Sequence, residues 1–217
     1  MKSDTFTFAV LADQVGSRVN PDRVPAALAR LERTLADRMI LPFERTAGDE
    51  IQGLCSEPAA VVDAVCQLTR LEGWRIGIGA GAVETPLPAS TREARGEAYL
   101  AARKAIGTAR SSPTQLALVG ADPVVSGAEY GESGTDTRDA ETALWLLRGL
   151  LQQRSQEGWE LMDLLDRGLT GAEAAAELGI SPSAVSQRLA RAHRTEAERG
   201  ALLATRLLDR LNRKVPA

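Results

Sequence analysis

The first part of the chain alternates short apolar runs with apolar residues at helical spacing. Residues 5–12 (TFTFAVLA) form an unbroken apolar run ending in Asp13, which predicts a strand buried on both faces. Over 21–38, Val24, Leu28, Leu31 and Leu35 recur at three- and four-residue intervals and predict an amphipathic helix, with Pro42 breaking the chain beyond it. Residues 43–46 and 51–55 can each extend, and Gly48-Asp49 between them predicts a tight hairpin. Val61, Val65 and Leu68 share one face of a helix over 58–71. Residues 73–81 read as a strand thinned by glycines, which mark close approach of a ligand or another backbone, or a turn-rich edge. A Pro-containing loop over 85–95, a helix over 96–110 and a short strand over 115–119 follow.

That order of elements predicts an α/β (α+β) sandwich with a mostly antiparallel sheet of ferredoxin-like topology over residues 1–126. Gly, Ser, Thr and acidic residues crowd 127–137, which predicts a linker. From 138 to 217 the pattern is all-helical. Leu144, Leu147 and Leu151 mark a helix over 139–153, and a short helix over 159–167 closes at Gly168. Leu203, Leu207 and Leu211 stripe a last helix over 195–212, which either closes the small domain or pairs with a second copy. Arg210, Arg213 and Lys214 end it with positive charge.

Between those helices lies the sharpest local pattern, LTGAEAAAELGISPSAVSQRL over 169–189. Ala175 is small where two helices cross, Gly179 permits a turn, Ser181 suits an N-cap and Pro182 a first helical position. Val185 and Leu189 then face inward, giving a helix-turn-helix.

Composition narrows the picture without deciding it. The chain has 217 residues, 44 % of them hydrophobic, and a net charge of −3, so any nucleic-acid contact must be local. Cys55 and Cys66 lack CxxC spacing and read as buried thiols of a reduced compartment. Residues 1–4 lead into the first strand without a signal-peptide pattern, and no apolar run approaches the roughly 20 residues that span a bilayer. A cytoplasmic protein without membrane contact is expected.

Two places carry candidate chemistry in the first part. Asp49 and Glu50 sit together at the hairpin tip, where like charges repel unless solvated or neutralised, and carboxylate oxygens are the ligands Mg²⁺ prefers. Asp13 ends the first strand before the loop Gln14-Val15-Gly16-Ser17-Arg18, an arrangement suited to a metal beside a phosphate chain, with Arg18 as a charge-assisted contact. A solvated acidic turn and a strand-capping Asp13 are the plainer readings of the same residues.

The segments FAVLADQVGSR, RTAGDEIQG, RIGIGAG and GEAYLAAR resemble, in order and spacing, the SatD family of bacterial proteins. More distantly they resemble the palm domain of class III nucleotidyl cyclases, and AGDEI resembles the GGDEF signature of diguanylate cyclases. The resemblance spans roughly residues 5–119 and implies a metal site at Asp13, Asp49 and Glu50. It also implies a phosphate-binding loop at Val15, Gly16 and Ser17. Class III cyclases carry an asparagine and an arginine on the helix matching 96–110, where this chain has Leu100 and Lys104, with Arg103 one residue off. Arg18, Arg103 and Lys104 are therefore expected to hold a nucleotide of unknown identity, with Mg²⁺, rather than to cyclise it.

The helix-turn-helix resembles those of sigma-factor region 4 and MarR-like regulators. Ser181, Ser183, Ser186, Gln187, Arg188 and Arg191 are its expected contacts to double-stranded DNA. Lone His193 has no partner base or nucleophile and reads as a surface or phosphate contact. These residues predict a homodimeric transcriptional regulator with a nucleotide-sensing domain. The rival readings are an active Mg²⁺-dependent cyclase or nucleotidyltransferase, a palm used only as scaffold, and a helix-turn-helix used only to bind protein.

Overall fold

The computed structural model describes residues 6–120 and 132–213. Residues 1–5, the linker positions 127–131 and Lys214 lie outside the described residues. The strands are β1 Phe6–Gln14, β2 Leu41–Arg45, β3 Glu50–Cys55, β4 Trp74–Ala82 and β5 Leu116–Gly120. The helices are α1 Val24–Leu35, α2 Pro58–Arg70, α3 Glu97–Thr108, α4 Glu132–Gln152, α5 Gln156–Asp166, α6 Gly171–Leu178, α7 Pro182–Arg191 and α8 Arg194–Arg213.

The sheet order is β2-β3-β1-β4-β5. Its first four strands, with α1 and α2 as crossovers, have the ferredoxin-like order, and the fold is α+β. β5 joins β4 in parallel, while the other three strand pairings are antiparallel, so the sheet is mostly antiparallel as expected. β1 runs two residues past its expected end, which puts Asp13 inside the strand, opposite Glu50 on β3 and Arg75 on β4.

Alternation along β1 feeds two cores. Phe8, Val10 and Ala12 pack with α1 and α2, while Ala9 and Leu11 pack with α3 on the opposite face. The glycines of β4 explain how α3 gets there. A Cβ on Gly77 would lie 2.4 Å from Ile106 N, and one on Gly79 would lie 2.1 Å from both Ala102 N and Ala98 O. Helix backbone rests directly on strand backbone, with alanines filling the seam. The glycine-thinned strand thus marks another backbone.

The second half of the chain does not pack apart from the first. Residues 132–137, expected as linker, are already the first turns of α4. Ala140, Leu144, Leu147 and Leu151 of α4 and Ala204, Leu207, Leu208 and Leu211 of α8 belong to the same apolar core as β1, β4, α1 and α2. Each such leucine contributes about 1.5–3 kcal/mol on burial. The expected boundary at 127–137 therefore coincides with no break in packing. Leu203, expected on the inward stripe of α8, is half-exposed, because the inward face runs through Ala204 and Leu208.

α4 also closes the outer edge of β5 with a row of side chains one turn apart. Glu141 Oε1 accepts from Leu118 N at 2.9 Å, Trp145 Nε1 donates to Leu116 O at 2.7 Å, and Arg148 Nη1 donates to Gln115 O at 3.0 Å. Arg148 also donates to Trp74 O and is only 2 % exposed, and burial lowers its pKa to about 10.

In the second half of the chain α5, α6 and α7 form a core of their own, around Leu161, Met162, Leu164, Ala174, Ala175, Val185 and Ala192. Among the described residues no helix is long and apolar enough to cross a membrane.

The α3–β4 seam makes a paired prediction. Gly79→Ala should cost about 3 kcal/mol or more, because its methyl meets backbone that cannot rotate away. Gly107→Ala, on the exposed side of α3 with nothing near its Cβ, should stabilise by about 0.5–1 kcal/mol. Urea denaturation followed by circular dichroism checks both. A Gly79→Ala chain as stable as the parent would mean that α3 rides clear of the strand.

Candidate functional site

The cross-strand register brings Asp13, Glu50 and Arg75 to the α3 face of the sheet, at the end where the β2–β3 hairpin turns. Asp13 accepts from Arg75 Nη1 at 2.8 Å through Oδ1 and 3.0 Å through Oδ2. Glu50 accepts from Arg103 Nη1 at 2.6 Å and from Thr46 Oγ1 at 2.6 Å. Burial pushes the Asp13 carboxyl above its usual range, with Arg75 opposing that shift and Asp49 adding to it. Arg75 Nε is buried without a hydrogen-bond partner among the described residues, so this corner is tightly but incompletely satisfied.

Arg75 is the residue that the sequence pattern hid. It sits between Trp74 and the glycines of β4, and only the strand register reveals it as the partner of Asp13. The acidic set does not fit Mg²⁺ as arranged. Asp13 and Glu50 each spend oxygens on a guanidinium, and no group of three or more His, Cys, Asp or Glu among the described residues could hold a metal ion.

The loop after β1 closes on itself. Val15 N donates to Gly73 O at 2.8 Å, and Gly16 O accepts from Val19 N and Asn20 N, both at 3.0 Å. The Gln14 side chain holds the return, donating to Pro21 O at 2.7 Å and accepting from Arg23 N at 2.9 Å. The Val15 amide is therefore spent inside the fold, while Arg18 is exposed and Ser17 half-exposed. Lys104 is exposed on α3 beside Arg103. Cys55 and Cys66 are unpaired thiols that burial pushes up to about 12, which keeps both protonated near neutral pH.

The three-helix unit is built by local rules. Thr170 and Glu173 form a capping box on α6, and Gly179 closes that helix at φ 63°, with Ile180 N donating to Ala175 O at 3.0 Å. Ser181 caps α7 by accepting from Ala184 N at 3.2 Å. Val185 is buried between the helices, while Ser181, Ser183, Ser186, Gln187 and Arg191 are exposed and Arg188 is half-exposed. Ser181 and Ser183 share a hydrogen bond, and Ser186 donates back to Pro182 O. The acids Glu160, Asp163, Asp166 and Glu177 line a separate groove that includes no residue of α7. His193 takes φ 50° at the α7–α8 corner, 3.9 Å from Glu196.

This unit hangs between the end of α4 and the start of α8, and polar side chains tie it to the sheet body. Arg70 of α2 makes a two-pronged ion pair with Asp163, holding that carboxyl below its usual range. Two guanidiniums lie over the Trp159 ring, Arg70 at 5.0 Å and Arg154 at 4.3 Å from its centroid. Arg154 Nε also donates to Ala192 O at 2.8 Å.

The ion pairs at the hairpin corner lead to a prediction for metal. Mg²⁺ would have to displace two guanidiniums, so titrating the full chain with Mg²⁺ in a calorimeter should give no saturable heat in the submillimolar range. A saturable heat that disappears in Asp13→Asn would show that the pairs open for a cation.

No family model matches the chain. No curated protein matches it either. A similar solved structure is a regulator of polyketide synthase expression from Bifidobacterium adolescentis, with 14 % identity and a TM-score of 0.31 over 98 % of this chain and 82 % of that one. At that level of overlap the likeness carries neither fold nor function across.

Proposed function

We propose that the chain is a DNA-binding transcriptional regulator whose sheet domain senses a small phosphorylated ligand, nucleotides included. The observation that carries the reading is the outer face of α7. Ser183 and Ser186 allow close approach to a groove, Gln187 offers an amide to a base edge, and Arg191 offers a cation to phosphate. The buried side of the same helix is anchored by Val185, so that face is held rigidly outward. Arg188 and Arg191 make the last turn of α7 locally basic on an acidic chain.

Sensing is preferred to catalysis at the sheet. Leu100, at the position where the cyclase resemblance expects an asparagine, is 75 % exposed and has no hydrogen-bonding group to offer a transferring phosphate. Arg75 and Arg103 neutralise the carboxylates that a catalytic metal would need. The regulator is proposed to act in the cytoplasm as a homodimer on two-fold sites. Exposed Leu146 on α4 and Leu202 on α8 give apolar surface for such pairing.

Selection from randomised duplexes, followed by fluorescence anisotropy at several salt concentrations, tests the reading. Gln187→Ala should relax sequence preference by about 1–3 kcal/mol at the position it reads. Arg191→Ala should weaken all duplexes alike and lower the salt slope by about one. If the parent chain binds no duplex at low salt, the helix-turn-helix is a protein-interaction unit and the regulator reading fails.

A further inference from the structure

The α3 face carries a second feature beside the acidic corner, the two meeting at Arg103, which lines the second and holds Glu50 of the first. Residues 84–96 fold over the part of the sheet that α3 leaves open, and a cleft of about 600 Å³ remains between this loop, β3 and the first turns of α3. That volume is within the usual range for small-molecule sites. The cleft is built on fixed parts. Gln52 Nε2 donates to Thr91 O at 2.6 Å and to Thr91 Oγ1 at 3.2 Å, and the same hydroxyl bonds the Tyr99 hydroxyl at 3.0 Å. All three residues are buried. Glu84 N donates to Arg95 O at 2.9 Å and closes the loop at its base, while Ser90 donates to Glu44 at 2.6 Å and fastens its tip.

The polar groups that face this cleft are uncommitted in a particular way. Arg92 and Arg95 line it, yet neither guanidinium makes an ion pair or hydrogen bond with any described residue. Most other arginines near the sheet are spoken for: Arg38, Arg45, Arg70, Arg75 and Arg103 all hold carboxylates. α3 also begins here, at Gly96, with no side chain capping its first amides, so its positive end adds to the same potential. The opposite character is present too. Val83, Ala94 and Leu100 make an apolar wall, and Leu100 is the most exposed large apolar side chain on α3.

We infer that this cleft binds a small organic phosphate monoester, with the phosphate on Arg92 and Arg95 and the body against Val83 and Leu100. Guanidiniums beside a helix N-terminus match the oxygens of a phosphate. Glu84 and Glu97 also line the cleft, which disfavours a polyphosphate and suits hydroxyl or amino groups on the ligand body. The site is distinct from the Val15–Arg18 loop, no residue of which lines it. That this ligand is the sensed signal rests on the regulator reading, whereas the site itself does not.

Calorimetry of the full chain with phenyl phosphate tests the site without DNA. Binding should be saturable, weaker for inorganic phosphate, and reduced about tenfold or more in the double variant Arg92→Gln/Arg95→Gln. Both side chains are exposed, so the thermal midpoint of that variant should match the parent. Arg18→Gln should leave binding unchanged, and Leu100→Ser should narrow the gap between phenyl phosphate and inorganic phosphate. No saturable heat, or a loss in Arg18→Gln with none in the double variant, would overturn the site. Benzoate binding as tightly as phenyl phosphate would overturn the phosphate assignment. Failure here with duplex binding intact removes the cleft and leaves the regulator, and the reverse result removes the regulator and leaves the cleft.

Discussion

The outer edge of β5 exposes backbone groups that need partners, and α4 supplies them. Glu141 and Trp145 serve Leu118 N and Leu116 O, and Arg148, one turn on, reaches Gln115 O, which also accepts from Ile76 N, and Trp74 O. The cost of this arrangement is a buried cation, since Arg148 rests on two backbone carbonyls and pairs with no carboxylate among the described residues. A charge in that setting is tolerated because its fork is directed at fixed acceptors, and removing one partner from such a set costs several kcal/mol. Once α4 is placed against the sheet, its apolar face at Leu144, Leu147 and Leu151 is placed too, and α8 packs back into the same core.

The position of the helix-turn-helix follows from that closure. α5–α7 leave the body where α4 ends and rejoin it where α8 begins, so the unit is held at both ends by helices of the sheet's own core. Between those ends the tie is polar and modest. The Arg70–Asp163 pair is partly exposed and is worth about 0–1 kcal/mol, and each guanidinium on Trp159 adds about 0.5–1 kcal/mol. Those magnitudes are comparable to the differential binding by which one site influences another, about 1–3 kcal/mol. Arg70 sits at the end of α2, whose apolar face packs on the sheet, so the body and the α5–α7 unit meet at a contact of modest strength.

Periodicity made the elements legible and left their partners obscure. The double-faced β1, the hairpin at Gly48 and the α6–α7 turn all follow from local rules, since each is decided by neighbours within a few residues. The leucine stripe of α4 was equally plain, yet a stripe states that a face is buried and not what buries it, so nothing in it corrected the boundary that the Gly, Ser, Thr and acidic residues of 127–137 suggested. Glycines at 77 and 79 signalled a close approach without naming its partner, α3. Arg75 and the Arg92–Arg95 pair were missed for the same reason. Their significance comes from strand register and from a loop folding back over the sheet, neither of which has a period.

The central claim is that α4 and α8 belong to the sheet body, and that α5–α7 is a distinct unit carried by it. Native-state hydrogen exchange on the full chain addresses this directly, because amides that open together share one opening free energy. Amides of α4 and α8 should show the same protection as those of β1 and α2, with α5–α7 opening at lower free energy. Exchange of α4 through α8 as one unit, separate from the sheet, would contradict the account.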